Sequence, residues 1–403
     1  MSSLQPNSTS NDVVRMFQWC DAFAQSIVDI LRDHHLKIVV WLALGAGLVL
    51  FLRLVMKLCR FVITQFFRKP HNLIERYGQG SWAVISGSSG GIGLGFAVEL
   101  AKKGFNIVLI SRTDSHLQAA EKEVRLANPC IEVRRIIADF SRSHNASFWD
   151  STILPQLAGL DISILVNNVG INHTESFATI PENFVHDIVQ VNCTSQIVFT
   201  RKLIRRLLER TGWRDEQSIS TAPPPRSTNN KPLRSAIISV SSVAGQRPLL
   251  YLSPYSATKA FNDYFSRALS LEFPEHLDVL SLRPGYVVSN MSKLKEASGF
   301  VLDRYECARG CLEKLGYVNE TYGDPRHAVY ARSFFLIPEV ILAQRRRQRL
   351  VEKNSLIAEQ QGNGAAQTEP GNDEFAGAAE EERPSTNGAS FLRRRATAAR
   401  EDA

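Results

Sequence analysis

The stretch Trp82-Ala-Val-Ile-Ser-Gly-Ser-Ser-Gly-Gly-Ile-Gly93 passes from an apolar, partly β-branched run into a cluster of glycines. Trp82 to Ser86 reads as a short buried strand, and from Leu94 to Leu100 apolar residues recur at helical spacing. A strand, a glycine turn and a helix N-terminus together make a phosphate cradle. Free backbone N–H groups and the positive end of the helix dipole face an anion there, and only glycine lets the backbone come so close. Gly87, Ser89, Gly91, Ile92 and Gly93 are the residues expected against it. The next strand, Asn106 to Ile110, ends in Ser111-Arg112-Thr113. A dinucleotide site for NAD usually carries an acid here for the ribose hydroxyl, whereas an arginine suits a 2′-phosphate. Ser111 and Arg112 therefore favour NADP(H), although a shifted register would bring Asp114 to the ribose instead.

Further along, Tyr255-Ser-Ala-Thr-Lys259 follows Ser242 by thirteen residues. A tyrosine and a lysine four apart share one helix face, so the ammonium sits beside the phenol. A free phenol has a pKa of about 10, too high to exchange protons readily at neutral pH. A neighbouring positive charge is expected to move it toward the working range. Ser242 then hydrogen-bonds a substrate oxygen while Tyr255 passes it a proton, which is machinery for interconverting a ketone and an alcohol. A YxxxK string alone is common on solvated helices; the glycine turn upstream is what gives it weight.

Together these residues resemble the short-chain dehydrogenase/reductases. The glycine turn is similar to that family's TGxxxGIG, with Ser86 in the threonine position, and Asn167-Asn-Val-Gly170 resembles its NNAG element. The resemblance implies an α/β fold, a doubly wound parallel sheet of Rossmann type. It also implies that Asn192, Ser242, Tyr255 and Lys259 are catalytic, with Asn192 holding a water in the proton relay. Arg283-Pro284-Gly285 matches the turn after the sixth strand. By the same resemblance Asp139 lies near the adenine, Asn168 supports the sheet beside the cofactor, and Val287 and Ser289 approach the nicotinamide and phosphates. A narrower likeness is to the membrane-bound very-long-chain 3-oxoacyl-CoA reductases, grouped with the type 12 17β-hydroxysteroid dehydrogenases. It rests on Tyr77-Gly-Gln-Gly-Ser-Trp-Ala-Val84, Leu109-Ile-Ser-Arg-Thr113, the run from Gly159 to Gly170, and Tyr255-Ser-Ala-Thr-Lys-Ala-Phe261. It implies NADPH-dependent reduction of 3-oxoacyl-CoA in fatty acid elongation, at the endoplasmic reticulum membrane with the catalytic side in the cytosol. Partners would be a lipidic substrate, the membrane, other elongation enzymes and a second copy of the chain. Gly90 departs from the subfamily, which often has an acid there. A hydroxysteroid or retinoid dehydrogenase is the alternative substrate reading. A non-catalytic scaffold is the alternative of another class, and such proteins commonly lose a catalytic residue that this chain keeps.

Composition narrows the rest. The net charge is +7, yet residues 345–403 hold ten basic and ten acidic side chains, so the excess lies elsewhere; membrane and anionic cofactor account for it, and no nucleic-acid motif is present. Cys20, Cys59, Cys130, Cys193, Cys307 and Cys311 lack metal-ligand spacing or a disulfide framework, so no metal is expected. After an N-terminal segment (residues 1–35), residues 36–69 read as a membrane anchor. Its uninterrupted core, Ile38 to Leu52, is shorter than the ~20 residues that span a bilayer, and flanking basic side chains can extend it by reaching the interface. Arg53, Lys57, Arg60, Arg68 and Lys69 outnumber Arg15, Arg32 and Lys37, which puts the following domain in the cytosol. That domain covers residues 70–344, with a flexible Ser/Thr/Pro-rich insertion at about 211–234 that should emerge away from the ligand edge. Met291, Leu294, Phe300, Val301 and Leu302 either line an acyl channel or pack inward. Residues 345–403 read as a disordered tail.

Overall fold

The computed structural model describes residues 8–32, 34–63, 68–214 and 232–348. The tail from 349, the middle of the insertion (215–231) and residues 64–67 lie outside them. Two long helices lead the chain, α1 (Ser8–Arg32) and α2 (His34–Val62), followed by the short α3 (Leu73–Tyr77). The apolar run at Trp82 then forms β1 (Trp82–Ser86), and the glycine turn opens α4 (Gly91–Lys102). Alternation continues through β2 (Asn106–Ser111), α5 (Asp114–Ala127), β3 (Val133–Ile137), α6 (Leu154–Leu157) and β4 (Ile162–Asn167). The second half holds α7 (Glu182–Val189), α8 (Ser195–Glu209), β5 (Ser235–Val240), α9 (Ser253–Glu272) and β6 (Leu277–Leu282). It closes with α10 (Arg304–Leu312), β7 (Glu320–Thr321) and α11 (Pro325–Leu336).

All seven strands are parallel, in the order β3-β2-β1-β4-β5-β6-β7. Strand periodicity explains the two cores. Ala83, Ile85, Leu109, Val166 and Ile238 face α4, α5 and α10, meeting Phe96, Leu100, Leu117 and Cys307. The intervening residues, Val84, Ile110, Leu165, Ile237 and Val279, face α8 and α9, meeting Phe199, Leu203 and Leu269. Helices thus cover both faces, the doubly wound arrangement expected, and the order reverses between β1 and β4, where such sheets bind ligands at their carboxyl ends.

Polar groups lock the opposite, amino-terminal edge. Asp278 accepts from Arg76 Nε at 2.6 Å, Arg234 Nε at 3.0 Å and Tyr77 Oη at 2.7 Å. Burial pushes its carboxyl up, but the hydrogen bonds and charges of Arg76 and Arg234 outweigh that and hold it below the usual range. Arg210, at the end of α8, grips Asp161 through Nε (2.7 Å) and Nη2 (2.9 Å) and donates Nη1 to the Arg234 carbonyl at 2.9 Å. Both ends of the insertion are therefore fixed on the edge remote from the ligand side, as expected.

Leu36–Val62 is one helix whose most apolar 18-residue stretch has mean hydropathy 2.5 and is not buried in protein; among the described residues it alone is long and apolar enough to cross a membrane. Its 27 residues carry the helix past Leu52 through Arg53, Lys57 and Arg60, to about 40 Å at 1.5 Å per residue. At its far end the Arg332 guanidinium of α11 lies 3.8 Å from the centre of the Phe61 ring. The segment that follows is held to the domain by Tyr317, which stacks on His71 at 3.8 Å and donates to the Lys69 carbonyl at 2.7 Å.

Candidate active site

The glycine turn takes its shape from backbone contacts. Gly87 sits at φ +64°, a left-handed conformation that strains other residues. A side chain at Gly93 would place its Cβ 2.4 Å from both the Gly87 carbonyl oxygen and Asn168 Nδ2. Asn168 donates its amide to the carbonyls of Ser86 (3.0 Å) and Gly87 (2.9 Å), and Ser86 Oγ accepts from the Asn168 N–H at 3.0 Å. The geometry thus gives Asn168 the part of bracing the turn from behind. No side chain caps α4 and its first turn holds no acid, so its N-terminal N–H groups are left available to an anion.

On one flank, Ser89 Oγ bonds Ser111 Oγ at 2.8 Å, joining the turn to the end of β2. Arg112 follows, exposed and with no side-chain partner among the described residues. Asp114 is occupied: Arg135 Nη1 donates to it at 2.5 Å and Gln118 Nε2 at 2.8 Å. Of the two, Arg112 is thus the one whose charge lies open, while Asp114 is engaged on its own helix and β3. Asp139 caps the turn after β3, accepting from the Ser141 N–H at 3.1 Å. On the other flank, the chain leaving β6 returns to the turn. A Cβ on Gly91 would lie 3.0 Å from Ser289 Cβ. Val287 is buried behind, paired with Leu302, and the Pro284 carbonyl accepts from the Val243 N–H at 3.1 Å.

Ser242 lies just beyond β5. Its Oγ accepts from the Ala244 N–H at 3.1 Å, which leaves the hydroxyl hydrogen for the Tyr255 phenol beside it. Pro254 near the start of α9 sets the helix that carries Tyr255 and Lys259. Burial raises the Tyr255 phenol above its ordinary value, and the hydrogen bond with Ser242 opposes it without prevailing. Lys259, 3% exposed, donates Nζ to the Val240 carbonyl at 2.8 Å and stands 5.7 Å from the centre of the Tyr255 ring. Burial lowers its ammonium to about 8, against a small opposing influence from Cys193. The expectation that Lys259 draws the phenol downward is corrected here: the ammonium is turned to the Val240 carbonyl, and burial is the largest influence on both groups, raising the phenol and lowering the ammonium.

Asn192 sits in a π-turn, Gln190–Thr194, between α7 and α8, an irregularity frequent at functional positions. Its Oδ1 accepts from the Ile171 N–H at 2.8 Å, and Nδ2 donates to the Ile171 carbonyl and Thr258 Oγ1, both at 3.0 Å. Gly170 lets both groups approach the backbone: a Cβ there would stand only 3.3 Å from Asn192 Oδ1 and 3.4 Å from Lys259 Nζ.

The short chain dehydrogenase family model matches residues 81–213 and 230–298. This chain belongs to the short-chain dehydrogenase family. It is 33% identical over 278 residues to a very-long-chain 3-oxoacyl-CoA reductase of Podospora anserina, covering 68% of this chain and 74% of that one. To very-long-chain 3-oxoacyl-CoA reductase-B of Danio rerio it is 31% identical over 263 residues, 64% and 76% of the two chains. Among solved structures, a 7β-hydroxysteroid dehydrogenase aligns with a TM-score of 0.56 at 21% identity, over 68% of this chain and 98% of that one. A short-chain dehydrogenase from Sphingobium yanoikuyae in complex with NADPH gives 0.50 at 22% identity, over 68% and 95%. The last two likenesses concern the fold alone.

Several residues that shape the site in this family member escape a reading by motif. Gly245 lets the turn Val243–Gly245 press on α9, since its Cβ would lie 2.6 Å from the Lys259 carbonyl carbon. Asp263, one turn beyond Lys259, forms a buried two-point ion pair with Arg283 (2.6 and 2.9 Å) and so ties α9 to the turn at Pro284. His327 is fully buried: Nδ1 accepts from the Gly285 N–H, and Nε2 donates to the carbonyls of Tyr286 and Phe300, each at 3.1 Å. Burial lowers its pKa, and the pattern is that of a neutral ring. Only Arg283 carried a signal, as part of a motif; a lone histidine in an apolar segment carries none. Cys193 and Cys307 are core thiols, pushed up by burial to about 11 and about 12, and no group of metal-binding side chains occurs among the described residues.

Proposed function

We propose that this enzyme uses NADPH to reduce a long-chain 3-oxoacyl-CoA to the 3-hydroxyacyl-CoA at a membrane, within fatty acid elongation. The observation that carries the reading is one cluster. Ser242, Tyr255 and Lys259 stand at the carboxyl edge of the sheet beside an uncapped glycine turn, in a chain a third identical to a very-long-chain 3-oxoacyl-CoA reductase.

The residues fit a dinucleotide. Gly87, Ser89, Gly91, Ile92 and Gly93 would hold the pyrophosphate where any Cβ at Gly93 would collide. Arg112 would hold the 2′-phosphate and Asp139 would face the adenine. Pro284, Gly285, Val287 and Ser289 would wall the nicotinamide end with Tyr255 and Lys259. When bound, NADPH supplies the hydride. Charge growing on the ketone oxygen would meet the Ser242 hydroxyl, which would turn its hydrogen from the Tyr255 oxygen to the substrate while the Ala244 N–H holds one of its lone pairs. Tyr255, held protonated by burial, would give that oxygen its proton. Lys259 and Asn192, both packed close to Gly170, would return a proton to the phenol, through the water that the family resemblance places at the asparagine.

Two results test the roles. Ser242→Ala should lower kcat for ketone reduction by about 10²–10³-fold, the effect of losing one oxyanion donor, with thermal stability preserved. Arg112→Ala should raise KM for NADPH by about tenfold, the worth of one exposed charged contact to phosphate, while KM for NADH stays put; parallel rises would refute the assignment of Arg112. The substrate class is tested with the full-length chain in microsomes, given NADPH and 3-oxoacyl-CoAs of graded length beside steroid and retinoid ketones. Turnover of the steroid with none of the acyl-CoA would overturn the reading.

The Leu36–Val62 helix supports membrane attachment, and the basic excess after it supports a cytosolic catalytic domain, consistent with the endoplasmic reticulum.

A further inference from the structure

We propose that Tyr286, Phe300 and Tyr330 form an aromatic ramp that carries the apolar tail of the substrate from the reacting carbon toward the membrane. The inference rests on the acyl-CoA reading and adds where the tail runs.

The ramp begins at the site. Tyr286 follows Gly285 directly, and a Cβ on Gly285 would lie 3.4 Å from Tyr330 Cδ1. The Tyr286 and Tyr330 ring centres are 6.3 Å apart, and those of Phe300 and Tyr330 are 5.8 Å apart. His327 fixes the two outer rings to a common base by holding the Tyr286 and Phe300 carbonyls. Despite this packing, Tyr286 and Phe300 are each 50% exposed, and Met291 and Leu294 nearby are also open. A contiguous apolar ridge of this kind on a folded surface marks a ligand or lipid contact.

The ramp ends at the anchor. Tyr330 lies in α11, and two residues on, Arg332 rests its guanidinium over Phe61 near the end of α2. Phe61 belongs to the apolar Leu36–Val62 helix, so that end of α11 is at the boundary of the lipid. α11 therefore carries both the ring that meets the turn at Gly285 and the side chain that touches the membrane helix. A head group reacting near Tyr255 and a tail dissolved in lipid need such a connection. An aromatic surface provides it without fixing the tail's length.

The test uses the full-length chain in phospholipid vesicles. With a long-chain and a short-chain 3-oxoacyl-CoA, Phe300→Ala and Tyr286→Ala should each lower kcat/KM for the long chain by about tenfold, as expected for one lost ring contact. The short chain should move far less, and Phe300→Leu should recover part of the loss. In parallel, a fatty acyl-CoA bearing a photoreactive diazirine at its tail should label peptides containing Tyr286, Phe300 or Tyr330. Equal losses for both chain lengths would show that the rings only support the turn, and labelling elsewhere would place the tail elsewhere; either result overturns the ramp. Labelling on the ramp in a protein that turns over no 3-oxoacyl-CoA would retain the ramp and reject the reaction.

Discussion

Tyr255→Phe is expected to lower ketone reduction by about 10²–10⁴-fold, the range of a lost general acid, while the fold and cofactor binding survive. The phenyl ring keeps the packing that buries the residue, so loss of one oxygen isolates the proton. The pH dependence provides a second arm. Burial raises the phenol above its ordinary value, so the protonated form needed for reduction persists through neutral pH. The reverse oxidation needs the phenolate and should climb with pH across the same range. Lys259 titrates in the opposite sense to a stabilised cation. Its ammonium is lowered to about 8, so its charge is present below that pH and is lost above it. If the charge assists, reduction by the wild-type enzyme should weaken as pH rises through about 8, and Lys259→Met should be slow throughout, with that limb gone. Normal turnover in Tyr255→Phe would remove the phenol from the mechanism.

Gly93→Ala should weaken NADPH binding by about 10²-fold, the order of effect that an ångström of misplacement produces. The new methyl would stand 2.4 Å from the Gly87 carbonyl oxygen, a backbone atom that cannot step aside, and equally close to the Asn168 amide that braces the turn. Relief must come from unbending the phosphate loop. Gly90→Ala is the control: nothing lies within 4 Å of its Cβ position, and its φ of 178° is ordinary extended backbone. Titration of cofactor by fluorescence, with thermal melting alongside, should separate the two variants. Similar affinity in both would show that the turn does not carry the pyrophosphate.

What could be read from the sequence was local. The strand Trp82–Ser86 and the glycines after it obey short-range rules, and Tyr255 and Lys259 share a face because four residues make one turn. The alternating strands foretold the doubly wound sheet, and the two ends of the insertion lie at its amino-terminal edge. Missed features depend on contacts between distant segments. Asp263 reaches Arg283 across the α9–β6 layer, His327 joins loops on both sides of Phe300, and Gly245 matters only because α9 passes against it. The tuning of Tyr255 failed for the same reason: spacing fixes which groups are neighbours, whereas burial, set by the whole fold, fixes which way their protons move. At the N-terminus, Arg15, Asp21, Asp29 and Arg32 interrupt the apolar pattern of α1, so a 25-residue helix passed as an unassigned segment.

The ionic knot at Asp278 and Arg210 has a practical corollary. Because Asp161 clamps Arg210 on one side of the insertion and Asp278 clamps Arg234 on the other, the two anchor points stay put whatever runs between them. Closing a loop between fixed ends grows costlier only with the logarithm of its length, about 0.6 kcal/mol per doubling. A foreign module spliced there would hang from the floor of the molecule and leave the chemistry overhead undisturbed, which makes this the natural port for an epitope or fluorescent reporter.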